Sequence, residues 1–242
     1  MDTSEPLAEV GQGRPGVAGA LAVAAGVAFL AMVTYLFAVL GPAGLSVDMF
    51  DDPRALLPWV DRHRGLYQGM WLLYLLSQVL LLPVPWLLGE HLGARTAAVV
   101  GTVSVVIALV GLVVLLAASP VTADAYQQAV QRGTAGGPEA VLTVHTVAAD
   151  IGKDLRLVSE VLLGAWLILA GGDLRRRTGR RGWWALAVLG GWAVLVAAWK
   201  LVQPAMPLED WLGFLLGAGY AGLGAGLLRR HATHNSSDVP SA

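Results

Sequence analysis

The chain has 242 residues, of which 56% are hydrophobic and only 14% are charged. Because soluble domains carry about 25% charged residues, most of this chain meets something other than water. The net charge of −1 gives no reason to expect a nucleic-acid partner. The absence of cysteine excludes disulfides, thiolate metal sites and cysteine nucleophiles.

The first predicted element is an apolar run over residues 17–40, which follows a polar tail over residues 1–16. A secretory signal needs a basic start and a short apolar segment, whereas this tail is mainly acidic and the run is long. We therefore interpret residues 17–40 as a membrane span and residues 1–16 as a cytoplasmic tail.

A span needs about 20 apolar residues to cross a hydrocarbon core of about 30 Å. Five stretches meet this length easily, and one further stretch, the fourth in chain order at 151–171, is interrupted by Glu160. The alternative for this fourth stretch, with the preceding residues 138–156, is a helix lying along the membrane interface. The prediction is an all-α polytopic bundle, one domain over 17–228, with six spans at 17–40, 66–88, 97–118, 151–171, 183–203 and 208–228. Residues 229–242 are expected to form a disordered cytoplasmic tail.

The loop between the fourth and fifth spans reads RRRTGRR and sets the orientation. Basic residues in short loops stay in the cytoplasm, so both termini are expected there. The cluster is also expected to contact anionic lipid headgroups. Trp183 and Trp184 follow it directly, as is typical of a headgroup belt. The cluster consists of Arg175, Arg176, Arg177, Arg180 and Arg181.

Two loops on the opposite, exoplasmic side, 41–65 and 119–150, are long enough to hold short helices. Asp52 followed by proline predicts a helix start, and Ser119 followed by proline is interpreted as a second cap. After a Gly-Gly-Pro break at 136–138, a helix is predicted that carries its valines on one face. It either lies along the interface or packs its polar face, with His145, against the bundle.

Within the second span, Pro83 and Pro85 each remove a backbone donor and predict a kink, either static or a gating hinge. In the sixth span, small residues recur at helical spacing, which allows a second helix to approach closely. Packing within the monomer and homodimerisation both explain this stripe. The small residues are Gly213, Gly217, Ala221, Gly222 and Gly226.

Glu160 is the sharpest candidate for a functional residue, because ionisable groups inside a membrane are costly and usually functional. A proton or cation site is one interpretation, with Gln78 of the second span as a hydrogen-bond partner. The alternative is a structural pair with Arg156, one turn earlier. Lys200 is expected either to pair with Asp154 or Asp150 or to extend to the headgroups.

No metal-ligand spacing, phosphate loop or nucleophile motif is present, so no metal, cofactor or catalytic residue is expected. Two stretches are used for comparison with known families: residues 51–88, which contain DDPRALLPWVDRHRG, and residues 159–191, which contain SEVLLGAWLILAGG. Over these stretches the chain resembles an uncharacterised family of small bacterial integral-membrane proteins. That resemblance implies six helices and a bacterial inner membrane, and it supplies no catalytic residues.

The first functional hypothesis is a non-enzymatic membrane protein that acts as a scaffold, sensor or accessory subunit. The second is a small proton-coupled carrier centred on Glu160. The third is an intramembrane enzyme acting on lipid, for which no motif speaks.

Overall fold

The computed structural model describes residues 14–133, 135–200 and 208–237, with side chains described over 16–133, 135–200 and 215–229. All regular structure in these ranges is helical. Two 3-10 turns, Val47–Asp51 and Arg181–Trp183, lie between helices. The helices are α1 (Arg14–Tyr35, extended by a π-helical turn Leu36–Leu40), α2 (Pro53–Arg62), α3 (Arg64–Leu81), α4 (Val84–Leu92), α5 (Arg95–Arg132), α6 (Gly137–Thr178), α7 (Trp184–Lys200) and α8 (Leu208–Ser237).

Five segments of the described chain are long and apolar enough to cross a membrane. Each coincides with one of the first five predicted spans, so the prediction of an all-α bundle of membrane-length helices is confirmed for these five. The segments are Gly16–Leu40, Arg64–Leu92, Arg95–Arg132, Gly137–Thr178 and Arg181–Lys200.

The longest elements, α5 and α6, form one antiparallel hairpin. Their 38 and 42 residues correspond to about 57 and 63 Å at 1.5 Å per residue, roughly twice the hydrocarbon thickness. The hairpin turns at 133–136, where Gly133 and Gly136 adopt positive φ values of 60° and 74°. Both helices therefore continue well beyond any bilayer that the bundle can span.

The predicted helix start at Ser119–Pro120 is wrong, because α5 continues without interruption from Arg95 to Arg132. Pro120 lies inside α5, and Ser119 does not cap a helix. The Ser119 hydroxyl instead shares a hydrogen bond of 2.8 Å with Tyr67, and the Pro120 carbonyl accepts one of 2.9 Å from Arg64. These two contacts join α3 to α5 beside the proline.

Residues 138–156 are not a separate interfacial helix, since they are the first half of α6. One polar side chain of this half packs on α5, since His145 is only 2% exposed and lies 2.9 Å from Thr122. Val144, Val147 and Ile151 face outward, and Asp150, Lys153 and Asp154 are exposed as well. This half therefore packs on the bundle through His145 and not through a whole polar face.

The segment between α1 and α3 folds over the side of the hairpin. As predicted, Asp52 caps α2 by accepting a hydrogen bond of 3.0 Å from the Arg54 amide. Trp59 of α2 is buried, and its indole N–H donates a hydrogen bond of 2.9 Å to the Ala43 carbonyl. Together α2 and the protruding part of the hairpin form a small head at one end of the bundle.

The predicted interruption by proline lies between α3 and α4, at residues 82 and 83. Pro85 is buried, and its ring packs with Trp166 of α6 against Gly101 of α5. A side chain at position 101 would collide with both rings. Such dense packing favours a static kink over a hinge.

The small residues of α8 pack within the monomer, against α1. Gly217 and Ala221 lie against Gly26, and Gly224 lies against Gly19, so the two helices run antiparallel with backbones in contact. Gly226 receives the ring of Trp183, Gly222 faces open space, and Gly213 lies outside the described side chains.

Helix α8 extends to Ser237, so the predicted disordered tail over 229–242 is wrong up to that residue. Neither glycine nor proline occurs between Gly226 and Pro240 to interrupt it. Residues 1–13 and 238–242, the remainder of the two predicted tails, lie outside the described residues.

The bundle has two distinct ends. We call the end with the hairpin turn at 133–136 and α2 the tip end. The arginine end holds the loop between α6 and α7, the start of α5, the start of α1 and the last part of α8, as the contacts Gly19–Gly224 and Gly226–Trp183 require.

Candidate functional site

Glu160 lies in α6 with its side chain buried, and cations hold both of its carboxylate oxygens. The Arg156 Nε donates to Oε1 at 3.1 Å, and the Lys200 Nζ donates to Oε2 at 3.2 Å. The three side chains are 11%, 31% and 15% exposed for Glu160, Arg156 and Lys200 respectively. We call this group the Glu160 cluster.

Close packing of α6 on α7 brings Lys200 to Glu160. At Gly164 and Gly190 the two backbones touch, because a Cβ on either residue would lie within 2.6 Å of the carbonyl oxygen of the other. From this crossing, α6 runs back toward the tip end to Glu160 while α7 runs forward to Lys200. Glycine at the crossing thus sets the distance across which the ion pair forms.

The predicted pairing of Lys200 with Asp154 or Asp150 is wrong in its partner, although Lys200 does reach α6. Helical side chains lean toward the N-terminus of their own helix. Because α6 and α7 are antiparallel, Glu160 leans toward the tip end and Lys200 leans away from it, so the two converge. Asp154 and Asp150 are exposed, lean away from Lys200 and lie about 9 and 15 Å further along α6.

Aromatic residues of three other helices pack together in the bundle. Tyr220 of α8 is 1% exposed. Phe29 of α1 contacts both Tyr220 and Tyr74 of α3 edge to face, with centroid distances of 5.2 Å to Tyr74 and 6.3 Å to Tyr220. These rings join α1, α3 and α8.

Gln78 is buried in α3, but within the described part of the chain no hydrogen bond joins it to Glu160. Its neighbour Ser77 donates to the Ala25 carbonyl of α1 at 2.9 Å. On the far side of α6, Ser104 of α5 donates to the Ser159 carbonyl, also at 2.9 Å. At Ser159 and Glu160 the polar partners from other helices thus come from α5 and α7, and the predicted Gln78–Glu160 pair is wrong.

The Glu160 cluster gives each carboxylate oxygen a cationic donor. Donors on both oxygens compensate the hydration that the buried carboxylate loses. The arrangement is suited to fixing α6 against α7.

A second polar network, which the sequence did not indicate, lies where α3 meets α5 near the tip end. Arg64 donates to Asp124 at 2.6 Å and to the Pro120 carbonyl, and the Arg64 Nε is buried without a partner. Tyr67 bonds to Ser119 one turn along α3. The sequence did not predict this network, because Ser119 and Pro120 were interpreted as a helix start within the exoplasmic loop 119–150, which also placed Asp124 in that loop.

The head carries a groove of about 420 Å³ between α2 and α6. Arg54 and Glu139 form an exposed ion pair of 3.9 Å across it. The floor mixes apolar side chains with hydroxyl groups. Its lining residues are Asp52, Pro53, Arg54, Glu139, Leu142, Thr143, Thr146 and Val147.

The arginine end presents the five predicted arginines, all exposed. The Arg175 guanidinium lies over the ring of Trp184 at 4.6 Å from the centroid. No group of three potential metal ligands occurs among the described residues.

No family model matches the chain, and neither a curated protein nor a solved structure is significantly similar to it. The resemblance to uncharacterised bacterial membrane proteins therefore stays a prediction.

Proposed function

We propose that the chain spans the membrane six times. The sixth span is α8, which runs antiparallel along α1 over the contacts Gly19–Gly224 and Gly26–Gly217. Since α1 is long and apolar enough to cross a bilayer, a helix lying along it at the same depth crosses too. The bacterial inner membrane is proposed on the sequence resemblance alone.

We propose that the arginine end, with both termini, faces the cytoplasm. Exposed arginines concentrated on one side of a bundle support this orientation. Single cysteines at Ser46 and Thr178 test it, because the chain has no cysteine of its own. An impermeant thiol reagent added to intact cells should label position 46 and spare position 178, and the opposite result would reverse the orientation.

The function that the geometry supports best is that of a non-enzymatic scaffold or accessory subunit, which holds its head at a fixed position outside the membrane. The α5–α6 hairpin carries this proposal, because both helices pass from the arginine end into the head without a break. Continuous, closely packed helices transmit position rather than open a pathway. The groove beside Thr143 is the surface of the head that can receive another polypeptide.

Crosslinking in the cells that express the protein tests this function. A photoreactive residue at Thr143, in the groove, should give one adduct of defined mass that contains another membrane polypeptide. Gln131 is exposed on the same head outside the groove and serves as the matched control. Equal adducts from both positions, or none from Thr143, would contradict the proposal, as would a purified protein that native mass spectrometry finds monomeric with a small solute bound.

A proton-coupled carrier is the second candidate, supported by the burial of Glu160 within a membrane-length helix. In this mechanism the carboxylate must be released from Arg156 and Lys200 before it can accept a proton. Glu160→Gln in vesicles tests it: loss of a proton-linked flux with an unchanged melting temperature would favour the carrier. A lowered melting temperature without any such flux would favour the scaffold.

A further inference from the structure

The five clustered arginines at the arginine end have no carboxylate partner within the described chain. All five are exposed, and none of their guanidinium groups forms an ion pair or a hydrogen bond there. Among the described residues, Asp173, partly exposed, and Glu90, exposed, are the acidic residues of this end. Glu90 already accepts a hydrogen bond of 2.9 Å from Trp86. The charge of these arginines is therefore open to anions outside the described chain.

The tryptophans at the same end define where those anions lie. Trp184 is 51% exposed beneath the Arg175 guanidinium, and Trp86 of α4 is 53% exposed. Half-exposed indole rings belong at the level of lipid headgroups. Because Arg175 stacks on Trp184, its guanidinium is held at that level with its N–H edge available to a phosphate.

A second loop adds to the same surface. The guanidinium of Arg177 reaches Gly93, which has a φ of +57° and joins α4 to α5, since a Cβ there would lie 3.4 Å from the Arg177 nitrogen. Exposed Arg95 follows two residues later. The last turn of α6 therefore lies against the connection from α4 to α5, where Arg95 begins α5.

We propose that this surface binds the phosphodiester headgroups of anionic phospholipids, with Arg175 and Arg177 as the principal ligands. Arginine presents a planar fork of donors that matches two phosphate oxygens. The inference rests on the proposed membrane topology only in that the surface must face a leaflet containing such lipids. Binding itself can be measured in detergent, where orientation plays no part.

Native mass spectrometry of the purified full-length protein tests the proposal. Phosphatidylglycerol and phosphatidylcholine are added in equal amounts to wild type and to Arg175→Ala/Arg177→Ala. Wild type should retain phosphatidylglycerol preferentially. The double variant should bind it about 30-fold more weakly, since each headgroup–arginine contact contributes roughly a factor of five.

Arg62→Ala/Arg132→Ala is the matched control, because it removes two exposed cations from the tip end and should leave retention unchanged. Equal retention of both lipids by wild type, or equal loss in the two double variants, would overturn the proposal. Full displacement of phosphatidylglycerol by millimolar inorganic phosphate would assign the site to free phosphate instead. If the double variant does not fold, Trp184→Leu replaces it, with a smaller loss expected. Failure of lipid binding would leave the scaffold function, tested at Thr143, unaffected.

Discussion

The two ends of this molecule use cations in opposite ways. In the head and the adjacent half of the bundle, the described cations that have carboxylate partners find them on a different segment or one turn away: Arg54 with Glu139, Arg64 with Asp124, Lys153 with Asp51, and Arg156 and Lys200 with Glu160. At the arginine end, none of the five clustered arginines has such a partner within the described chain. Within the described chain, cations paired with carboxylates therefore lie toward the tip end, although Arg62 and Arg132 there have no such partner. The five clustered arginines without carboxylate partners lie at the arginine end.

Arginine therefore contributes to the fold near the tip end and to interactions with the surroundings at the arginine end. An ion pair between helices stabilises when it is shielded from water and satisfied by geometry. An exposed arginine contributes little to stability, but its charge acts on lipids or partners at the surface. Substitutions at the two ends should therefore differ in what they change.

Replacement of Glu160 by alanine should give the largest effect. The change leaves Arg156 and Lys200 without the carboxylate that lies between them, and breaking a buried pair in this way costs about 3 kcal/mol. Thermal unfolding in a neutral detergent measures the loss. Glu90→Ala, an exposed acid at the arginine end, is the control and should change little. A melting temperature unaltered by Glu160→Ala would remove the Glu160 cluster from the stabilising contacts.

The contact of α6 with α7 that positions this cluster can be broken at a single methyl group. A Cβ at Gly190 would lie 2.4 Å from the Gly164 carbonyl oxygen, whereas a Cβ at Gly191 meets nothing within 4 Å. Gly190→Ala should destabilise by about 2 kcal/mol through overpacking. Gly191→Ala should be neutral or slightly stabilising, because alanine favours helix. Equal unfolding temperatures for these neighbouring variants would mean that the helices do not cross at Gly190.

Removing the Tyr67 hydroxyl tests the polar network between α3 and α5, and the expected loss of stability is smaller. Tyr67→Phe loses the hydrogen bond to Ser119 and keeps the ring, so a loss of about 1 kcal/mol is expected. Tyr126→Phe, on a partly buried tyrosine of α5, is the control. The two variants should be compared in one thermal unfolding series, and a drop in the control as large as in Tyr67→Phe would show that the network is not specific.

Much of the bundle could be predicted from sequence, because hydrophobic length alone marks helices such as α1 and α5 and because proline interrupts α3 at a fixed place. The extent of the hairpin could not be predicted. Proline favours a helix boundary, and the contact of Pro120 with Arg64, which lies 56 residues away, cannot be seen in the local sequence. Likewise, the sequence indicates that Glu160 is costly in a membrane, but it does not indicate which cation reaches its carboxylate. That choice follows from the antiparallel lean of two side chains, which only the packed helices define.

Substitutions at the arginine end should have the smallest effect on stability, and they separate the clustered arginines most clearly from the paired cations near the tip end. Arg176→Gln/Arg180→Gln removes two exposed charges without a carboxylate partner in the described chain, so the unfolding temperature in neutral detergent should change by the equivalent of less than about 0.5 kcal/mol. The same variant in vesicles containing phosphatidylglycerol should lose part of the stabilisation that this lipid gives wild type, because the lipid binds the folded protein. Measuring both in parallel separates a cation that holds the fold from one that binds the membrane. A large loss already in neutral detergent would mean that these arginines stabilise the bundle as those near the tip end do.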